Sequence, residues 1–207
     1  MSITKSEPPV RRKRRSPEDA REEILASARR FLLAEGPEGI TLKAVAGELG
    51  MSHANLLHHF GSAAGLRSAL VAEMSRTVIA AVQDVSARAR EGTADRRQVA
   101  DLVFDAVDAG GAGRLIAWMA LSGETRQLEP VFDAVRDLAD ALEASGPPDR
   151  KNARERIATE ILAVLLPSIG DALIGRELHQ ALGRSRETGR DLATLAMRTV
   201  AARYETE

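Results

Sequence analysis

The sequence contains no cysteine and few aromatic residues. Of its 207 residues none is Cys, and Phe, Trp and Tyr together make up 3%. The absence of cysteine excludes disulfide bonds, thiolate nucleophiles and cysteine-based zinc sites within this sequence. Strand-forming β-branched and aromatic clusters are sparse, whereas alanine and leucine are abundant, and this balance favours helices. We therefore predict an all-α protein.

A strong net charge is also missing. The formal net charge is −1, from 29 basic and 30 acidic residues. The charges are nevertheless divided unevenly along the chain. Residues 1–70 hold 11 basic and 8 acidic residues, whereas the remainder holds 18 and 22. This division indicates a mildly cationic N-terminal region attached to an anionic body.

Signals for secretion or membrane insertion are weak. Residues 1–10 contain no apolar segment of the kind found in a secretory signal. The most apolar stretch, residues 157–175, includes Glu160, Pro167 and Asp171, each unfavourable at the centre of a bilayer. We expect this stretch to form a buried helix, and we expect a cytoplasmic protein without a membrane partner.

Residues 1–15 are predicted to be a disordered basic arm. The segment ends in five consecutive cations, which repel one another and cannot bury a core. They are Arg11, Arg12, Lys13, Arg14 and Arg15. Because the run lies immediately before the first predicted helix, we interpret it as an arm that follows the minor groove or backbone of DNA. A solubilising tail is the alternative.

Residues 16–61 contain three predicted helix starts. Ser16, Thr41 and Ser52 each precede an apolar-periodic segment and are predicted N-caps. Gly50 fits the left-handed position that follows the second helix. Two short helices joined by a three-residue turn have the spacing of a helix-turn-helix, and we expect residues 16–61 to form such a domain.

The third of these helices carries candidate DNA-reading residues. Leu56 and Phe60 lie four positions apart and are expected to face the core. The residues expected to face outward or to flank that surface are His53, Ala54, Asn55, His58 and His59. Asn and His can hydrogen-bond base edges in the major groove. An ordinary solvated helix surface is the alternative.

These histidines do not form a convincing metal site. His58 and His59 are adjacent, so their side chains diverge by about 100° on a helix. The sequence has no HExxH motif, no pair of histidines four residues apart and no acidic residue nearby to complete a site. We expect no metal and no cofactor.

Residues 21–74 resemble the TetR family of bacterial regulators. The shared features are the alanine and phenylalanine of the first helix, the approach G-x-x-G-I-T and the turn V-A-x-x-L-G-M-S. The spacing from Ser52 to Phe60 and on to Leu66 also agrees. The resemblance covers about a quarter of the chain. It implies an N-terminal three-helix helix-turn-helix domain and a C-terminal helical domain for ligand binding and dimerisation, with about nine helices in all.

The resemblance also implies roles for individual residues. Thr41 would contact phosphate from the start of the second helix, and Lys43 would reach a phosphate or a base. The base-reading positions at the start of the recognition helix are His53, Ala54 and Asn55, with His58 and His59 near bases and backbone. Two positions depart from the family: Leu57 replaces a tyrosine and Ala63 replaces a lysine, and both usual residues contact phosphate. These losses should weaken binding and its salt dependence.

Residues 62–207 are predicted to form the helical effector-binding and dimerisation domain. A long helix should run from residue 62 to about 92. Further helices are expected at 95–109, 113–122, 128–144, 150–182 (where Pro167 allows a kink) and 187–204.

Two sets of residues in this body are candidates for function. Those that the resemblance places around an effector pocket are Phe104, Trp118, Met119 and Phe132, although such residues are often plain core. Those predicted to form a dimer interface are Leu162, Leu165, Ile169, Leu173, Leu192, Leu195 and Val200. These last helices would pair with their copies as a four-helix bundle. Packing within one chain is the alternative.

The sequence therefore predicts a dimeric transcriptional regulator, a repressor released from a palindromic DNA operator by a small-molecule effector. A helical regulator whose degenerate head binds DNA weakly or non-specifically is the alternative. The sequence contains no phosphate loop, GxGxxG or Ser-His-Asp order, so we do not expect an enzyme.

Overall fold

The computed structural model describes residues 16–146 and 152–205. Within these ranges the chain forms nine α-helices and no strand, which confirms the predicted all-α fold. The predicted basic arm, including Arg11, Arg12, Arg14 and Arg15, lies outside the described residues.

The helices begin and end close to the predicted positions. In chain order they are α1 (Pro17–Glu35), α2 (Leu42–Leu49), α3 (His53–Phe60), α4 (Ala63–Arg90), α5 (Arg96–Asp108), α6 (Ala112–Leu121), α7 (Glu129–Ala144), α8 (Ala153–Ala181) and α9 (Glu187–Glu205). Short 3₁₀ turns precede α2 at Pro37–Gly39 and α7 at Thr125–Leu128.

The predicted N-caps fix the starts of the first three helices. Ser16 forms a capping box with Asp19 at the start of α1. The Thr41 hydroxyl accepts the Ala44 N–H at 3.1 Å, and the Ser52 hydroxyl accepts the Asn55 N–H at 3.2 Å. Each bond satisfies a backbone donor that the first helical turn leaves unpaired.

One hydrophobic cluster joins the N-terminal helices to the body. It contains buried side chains of α1, α2, α3 and α4, and it also includes Leu115 and Met119 of α6. We refer to α1–α3 with their turns as the head, and to this cluster, which forms the head core, as the head cluster. Because the cluster continues into α6, the head does not have a separate core and its orientation is tied to the body.

A second hydrophobic cluster lies further along α4. Val82 on α4 packs there with Phe104 on α5, Val164 on α8 and Met197 on α9. Helices α4 and α7 each contribute to both clusters, and α4 is the one that follows α3 directly in the chain.

Helix α8 is continuous through Pro167 and contains one turn of π-helix at Asp171–Gly175. The Asp171 carboxylate points inward, where His179 Nε2 lies 3.1 Å from Oδ1 and Arg186 pairs with the other oxygen. A Cβ on Gly175 would overlap that carboxylate. The π turn therefore provides the space in which a buried acidic side chain meets its partners.

The expectation that residues 157–175 are buried is wrong. By length and composition alone, α8 is long and apolar enough to cross a membrane. In its most apolar window only 17% of the residues are buried. The sequence pattern reports apolar content but not which side of a helix the rest of the chain covers. The exposed large apolar side chains at this end of the molecule are Leu162, Leu166, Leu173, Ile174, Leu178, Leu182, Leu192 and Leu195.

Candidate nucleic-acid interface

Helix α3 is anchored by its inner side. Leu56 is fully buried and Phe60 is 9% exposed, and both belong to the head cluster. The Arg21 guanidinium on α1 lies 4.8 Å from the centre of the Phe60 ring, a cation–π contact that joins α1 to the end of α3. A short helix held at both its N-cap and its inner face presents its outer side chains in a fixed direction.

The outer side of α3 carries the predicted base-reading residues. His53, Ala54, Asn55 and His58 are exposed, and His59 is half-buried. Their side chains therefore lie on the surface, as the helix periodicity predicts. Their proposed contacts with DNA stay predictions.

Thr41 and Lys43 lie at the start of α2. Both are exposed, and the Thr41 hydroxyl already caps the helix through the Ala44 N–H. The free N-terminal amides of a helix favour an anion, so this position suits a phosphate.

The two departures from the family pattern have different surroundings. Leu57 is 40% exposed on α3. Ala63, the first residue of α4, is half-buried and packs against the head cluster. A phosphate-binding side chain is thus absent at both positions, and only Leu57 offers a new surface group.

Helix α2 is tied to α1 by a polar contact. Glu48 on α2 accepts hydrogen bonds from Ser27 Oγ at 2.9 Å and from Arg30 Nε at 2.8 Å. The Arg30 hydrogen bond, helped by that of Ser27, lowers the pKa of Glu48 below its ordinary value. The ionised carboxylate thus adds a polar link between α1 and α2 at the surface of the head.

A buried arginine joins the head to the body. Arg67 on α4 is 8% exposed and donates to Glu124 Oε2 at 3.0 Å and to the Ile40 carbonyl at 3.1 Å. Its guanidinium lies 4.7 Å from the centre of the Trp118 ring, whose Nε1 donates to Glu38 at 3.2 Å. We call these residues the Arg67 joint. Sequence reasoning missed it because arginine and glutamate are expected at the surface.

The structure does not bring the predicted effector-pocket residues to one place. Phe104 lies in the second cluster, whereas Met119 lies in the head cluster. Trp118 belongs to the Arg67 joint, and Phe132 is 42% exposed. Their shared role in effector binding stays a prediction.

An open cleft of about 240 Å³ lies between α5 and α9. Its lining residues are Arg97, Asp191, Thr194, Leu195 and Arg198. Arg97 pairs with Asp101 at 2.8 Å, with Asp191 at 2.6 Å and with Glu187, so its charge is compensated within the chain.

The predicted dimer residues fall into two groups. Leu162, Leu173, Leu192 and Leu195 are between 47% and 61% exposed. Leu165, Ile169 and Val200 are half-buried, and Leu165 and Ile169 pack against the second cluster of their own chain. Sequence reasoning missed the exposed leucines Leu166, Leu178 and Leu182, although Leu166 follows Leu162 by four residues, a spacing that places both on one side of a helix.

Comparison with known proteins identifies the head. Residues 24–70, which run from within α1 into α4, match the family model of the bacterial regulatory proteins, tetR family. This part of the chain is therefore similar to the TetR-family regulators, and its short helices α2 and α3 form a helix-turn-helix. None of the curated proteins matches this chain.

One solved structure extends the likeness beyond residues 24–70. A protein from Mesorhizobium loti, assigned to the TetR-family transcriptional regulators, superposes with a TM-score of 0.61 at 17% identity, over 91% of this chain and 98% of that one. The described part of the chain therefore has a TetR-like fold. A second structure of this description, from Shewanella sp. PV-4, has a TM-score of 0.42 at 17% identity, over 85% of this chain and 96% of that one.

Proposed function

We propose that the protein is a homodimeric transcriptional repressor that binds a palindromic DNA operator through α3 and is released by a small-molecule effector. The observation that carries the proposal is the outer side of α3, where exposed hydrogen-bonding residues project from a helix anchored in the head core. A helix of this kind can enter the major groove and present Asn55 and His58 to base edges.

The exposed leucines of α8 and α9 support dimerisation. Single exposed apolar residues are ordinary, but a contiguous apolar patch marks an interaction surface. Leu162 and Leu166 lie one turn apart on α8, at 53% and 62% exposure. Leu192 and Leu195 are 61% and 60% exposed on α9, which packs against α8. We call the eight exposed apolar residues of α8 and α9 and the turn between them the leucine face.

A two-fold dimer would place the same surface of each chain against its copy. Helices α8 and α9 of the two chains would then form a four-helix bundle, with the heads on one side. Paired heads about 34 Å apart would occupy successive major grooves, which is the arrangement that reads a palindrome.

The first test is selection of bound sequences from a random duplex pool by the full-length protein at near-physiological salt. We expect enrichment of a palindrome whose half-sites lie about one helical turn apart. Asn55→Ala and His58→Ala should lose this preference, whereas Gln83→Ala, an exposed polar residue on α4, should keep it. Equal enrichment by all the variants would contradict the assignment of α3.

A second candidate function is a helical regulator whose head binds DNA only weakly. The absence of phosphate-binding side chains at Leu57 and Ala63 is the observation that favours it. In that case the selection would enrich nothing, and binding would disappear as salt concentration rises because only general charge attraction remains.

Release by an effector rests on α4, which takes part in both hydrophobic clusters. A ligand that binds one arrangement of the body more tightly than another would shift the spacing of the heads through this helix. A screen for small molecules that raise the melting temperature should find compounds that also weaken operator binding. Stabilising compounds without any effect on DNA binding would contradict this part of the proposal.

A further inference from the structure

The outer side of α3 carries apolar and polar side chains at different angles around the helix axis. At about 100° per residue, Ala54 and Leu57 are neighbours on one side of the helix, three positions apart. Asn55 and His59, four positions apart, are neighbours on the other side, and His58 lies between the two. His53, four positions before Leu57, borders the pair on its far side. Ala54 and Leu57 are thus an apolar pair between histidines, and Asn55 and His59 carry hydrogen-bonding groups.

Leu57 is not used by the head core. It is 40% exposed, in contrast to Leu56 beside it, which is fully buried. Leu49 and Met51, which border the turn before α3, both pack against the head cluster. Leu57, by contrast, belongs to neither hydrophobic cluster of the described residues.

We propose that Ala54 and Leu57 form an apolar contact for the 5-methyl groups of thymine in the major groove. This inference rests on the proposed DNA-binding function. Among the four bases only thymine presents a methyl group in that groove, and apolar side chains are the groups that recognise it. Leu57 would thereby replace a general phosphate contact by a sequence-specific one.

The neighbouring polar residue favours the same kind of base pair. An asparagine can make two hydrogen bonds to adenine through N6 and N7. Asn55 on one side of α3 and the Ala54–Leu57 pair on the other would therefore together favour half-sites rich in A·T pairs. Leu57, at the position where the family usually has a tyrosine, would thus add base specificity to the head.

The test compares duplexes that contain thymine with duplexes in which deoxyuridine replaces it. Uracil keeps every hydrogen-bonding group of thymine and lacks only the methyl group. The probe is the duplex that the full-length protein selects from the random pool, substituted at one position in each half-site in turn. At one such position the dissociation constant should rise about fourfold per half-site, or roughly sixteenfold for both, as expected for loss of one buried methyl group.

Two variants locate the effect. Leu57→Gln should bind the thymine and uracil duplexes equally while keeping its melting temperature, because the side chain is exposed and similar in length. Leu121→Gln, which alters a 90% exposed leucine at the end of α6, should show the full difference between the duplexes. An undiminished difference in Leu57→Gln would overturn the role of Leu57.

The outcomes separate this inference from the proposed function. Specific binding by the unaltered protein with equal affinity for thymine and uracil at every position would overturn the methyl contact and leave the proposed function intact. Failure to select any duplex would overturn the proposed function, and the methyl contact with it.

Discussion

The head and α8 both contain many leucines, but they place them differently. In the head, Leu32 and Leu56 are fully buried by neighbouring helices of the same chain. On α8, Leu162 and Leu166 are 53% and 62% exposed. Both regions have apolar residues at helical spacing, so their sequence patterns are alike. The difference lies in whether the chain itself supplies the covering surface.

The comparison shows which apolar surfaces one chain covers by itself. The head has capped helices, a shared core and the buried Arg67 joint. The leucine face has no covering element in the described part of the chain. Fully burying a leucine contributes about 1.5–3 kcal/mol, so a second copy over this face would gain substantial free energy from several half-exposed leucines.

The largest expected effect is disruption of the leucine face. Leu162→Glu with Leu166→Glu would place two charges in the proposed interface, and burial of an unpaired charge is costly. We expect the dimer dissociation constant to rise on the order of 1,000-fold or more. Sedimentation velocity over a range of concentrations measures it.

The matched control is Leu121→Glu, which alters the 90% exposed leucine of α6. That variant should leave the dimer unchanged, and both variants should keep the helical circular dichroism of the unaltered protein. A double variant that sediments like the unaltered dimer would show that the leucine face is not the contact.

The next effect concerns the Arg67 joint. Arg67→Met should destabilise the folded protein by about 3 kcal/mol, because Glu124 would remain largely buried without its partner. Denaturant unfolding measures this change. Arg76→Met, at an exposed arginine on the same helix, should change stability by less than about 0.5 kcal/mol.

Adding Glu124→Gln to Arg67→Met sharpens this test. The free energy of unfolding should fall by less in the double variant than the sum of the two single effects, because changing both residues leaves no uncompensated buried charge. Additive effects would mean that the two side chains stabilise the joint independently.

Two glycines allow a smaller comparison between the head and α8. Gly47 in α2 has open space where a Cβ would lie, so Gly47→Ala should stabilise the protein by about 0.5–1 kcal/mol. A Cβ on Gly175 would overlap the Asp171 carboxylate, so Gly175→Ala should destabilise it by about 1–3 kcal/mol. Thermal unfolding measures both, and effects of the same sign would contradict the π-turn packing.

The smallest effect is a pH dependence in the head. Because the pKa of Glu48 is lowered in the folded state, its bonds to Arg30 and Ser27 stabilise the fold fully at pH values above the ordinary carboxyl pKa of 4.5. This contribution is lost as the pH falls through the lowered pKa. The melting temperature of Glu48→Gln should therefore approach that of the unaltered protein as pH falls from 6 to 3. A constant difference over this range would exclude a contribution from ionised Glu48.

Local signals predicted the head well. Ser16, Thr41 and Ser52 cap their helices as expected, and Gly50 has the left-handed φ of 61° predicted for it. Such signals depend on a few neighbouring residues, so the sequence alone contains them. The outward direction of Asn55 and His58 followed from helix periodicity in the same way.

Features that depend on distant residues were not predicted. The burial of Arg67 requires Glu124, Trp118 and the Ile40 carbonyl to meet, and no local pattern indicates that meeting. The exposure of α8 depends on what the rest of the chain leaves uncovered. The separation of Phe104 from Met119 depends on how α5 and α6 pack, which helix periodicity alone does not determine.

The measurement that tests the central claim most directly is the affinity of the full-length protein for its selected palindrome and for the same duplex with five base pairs inserted between the half-sites. Half a helical turn moves one half-site to the opposite side of the duplex. If the leucine face holds two heads in fixed register, the inserted duplex should bind no more tightly than a single half-site. Equal affinity for both duplexes would contradict a dimer that reads two half-sites together.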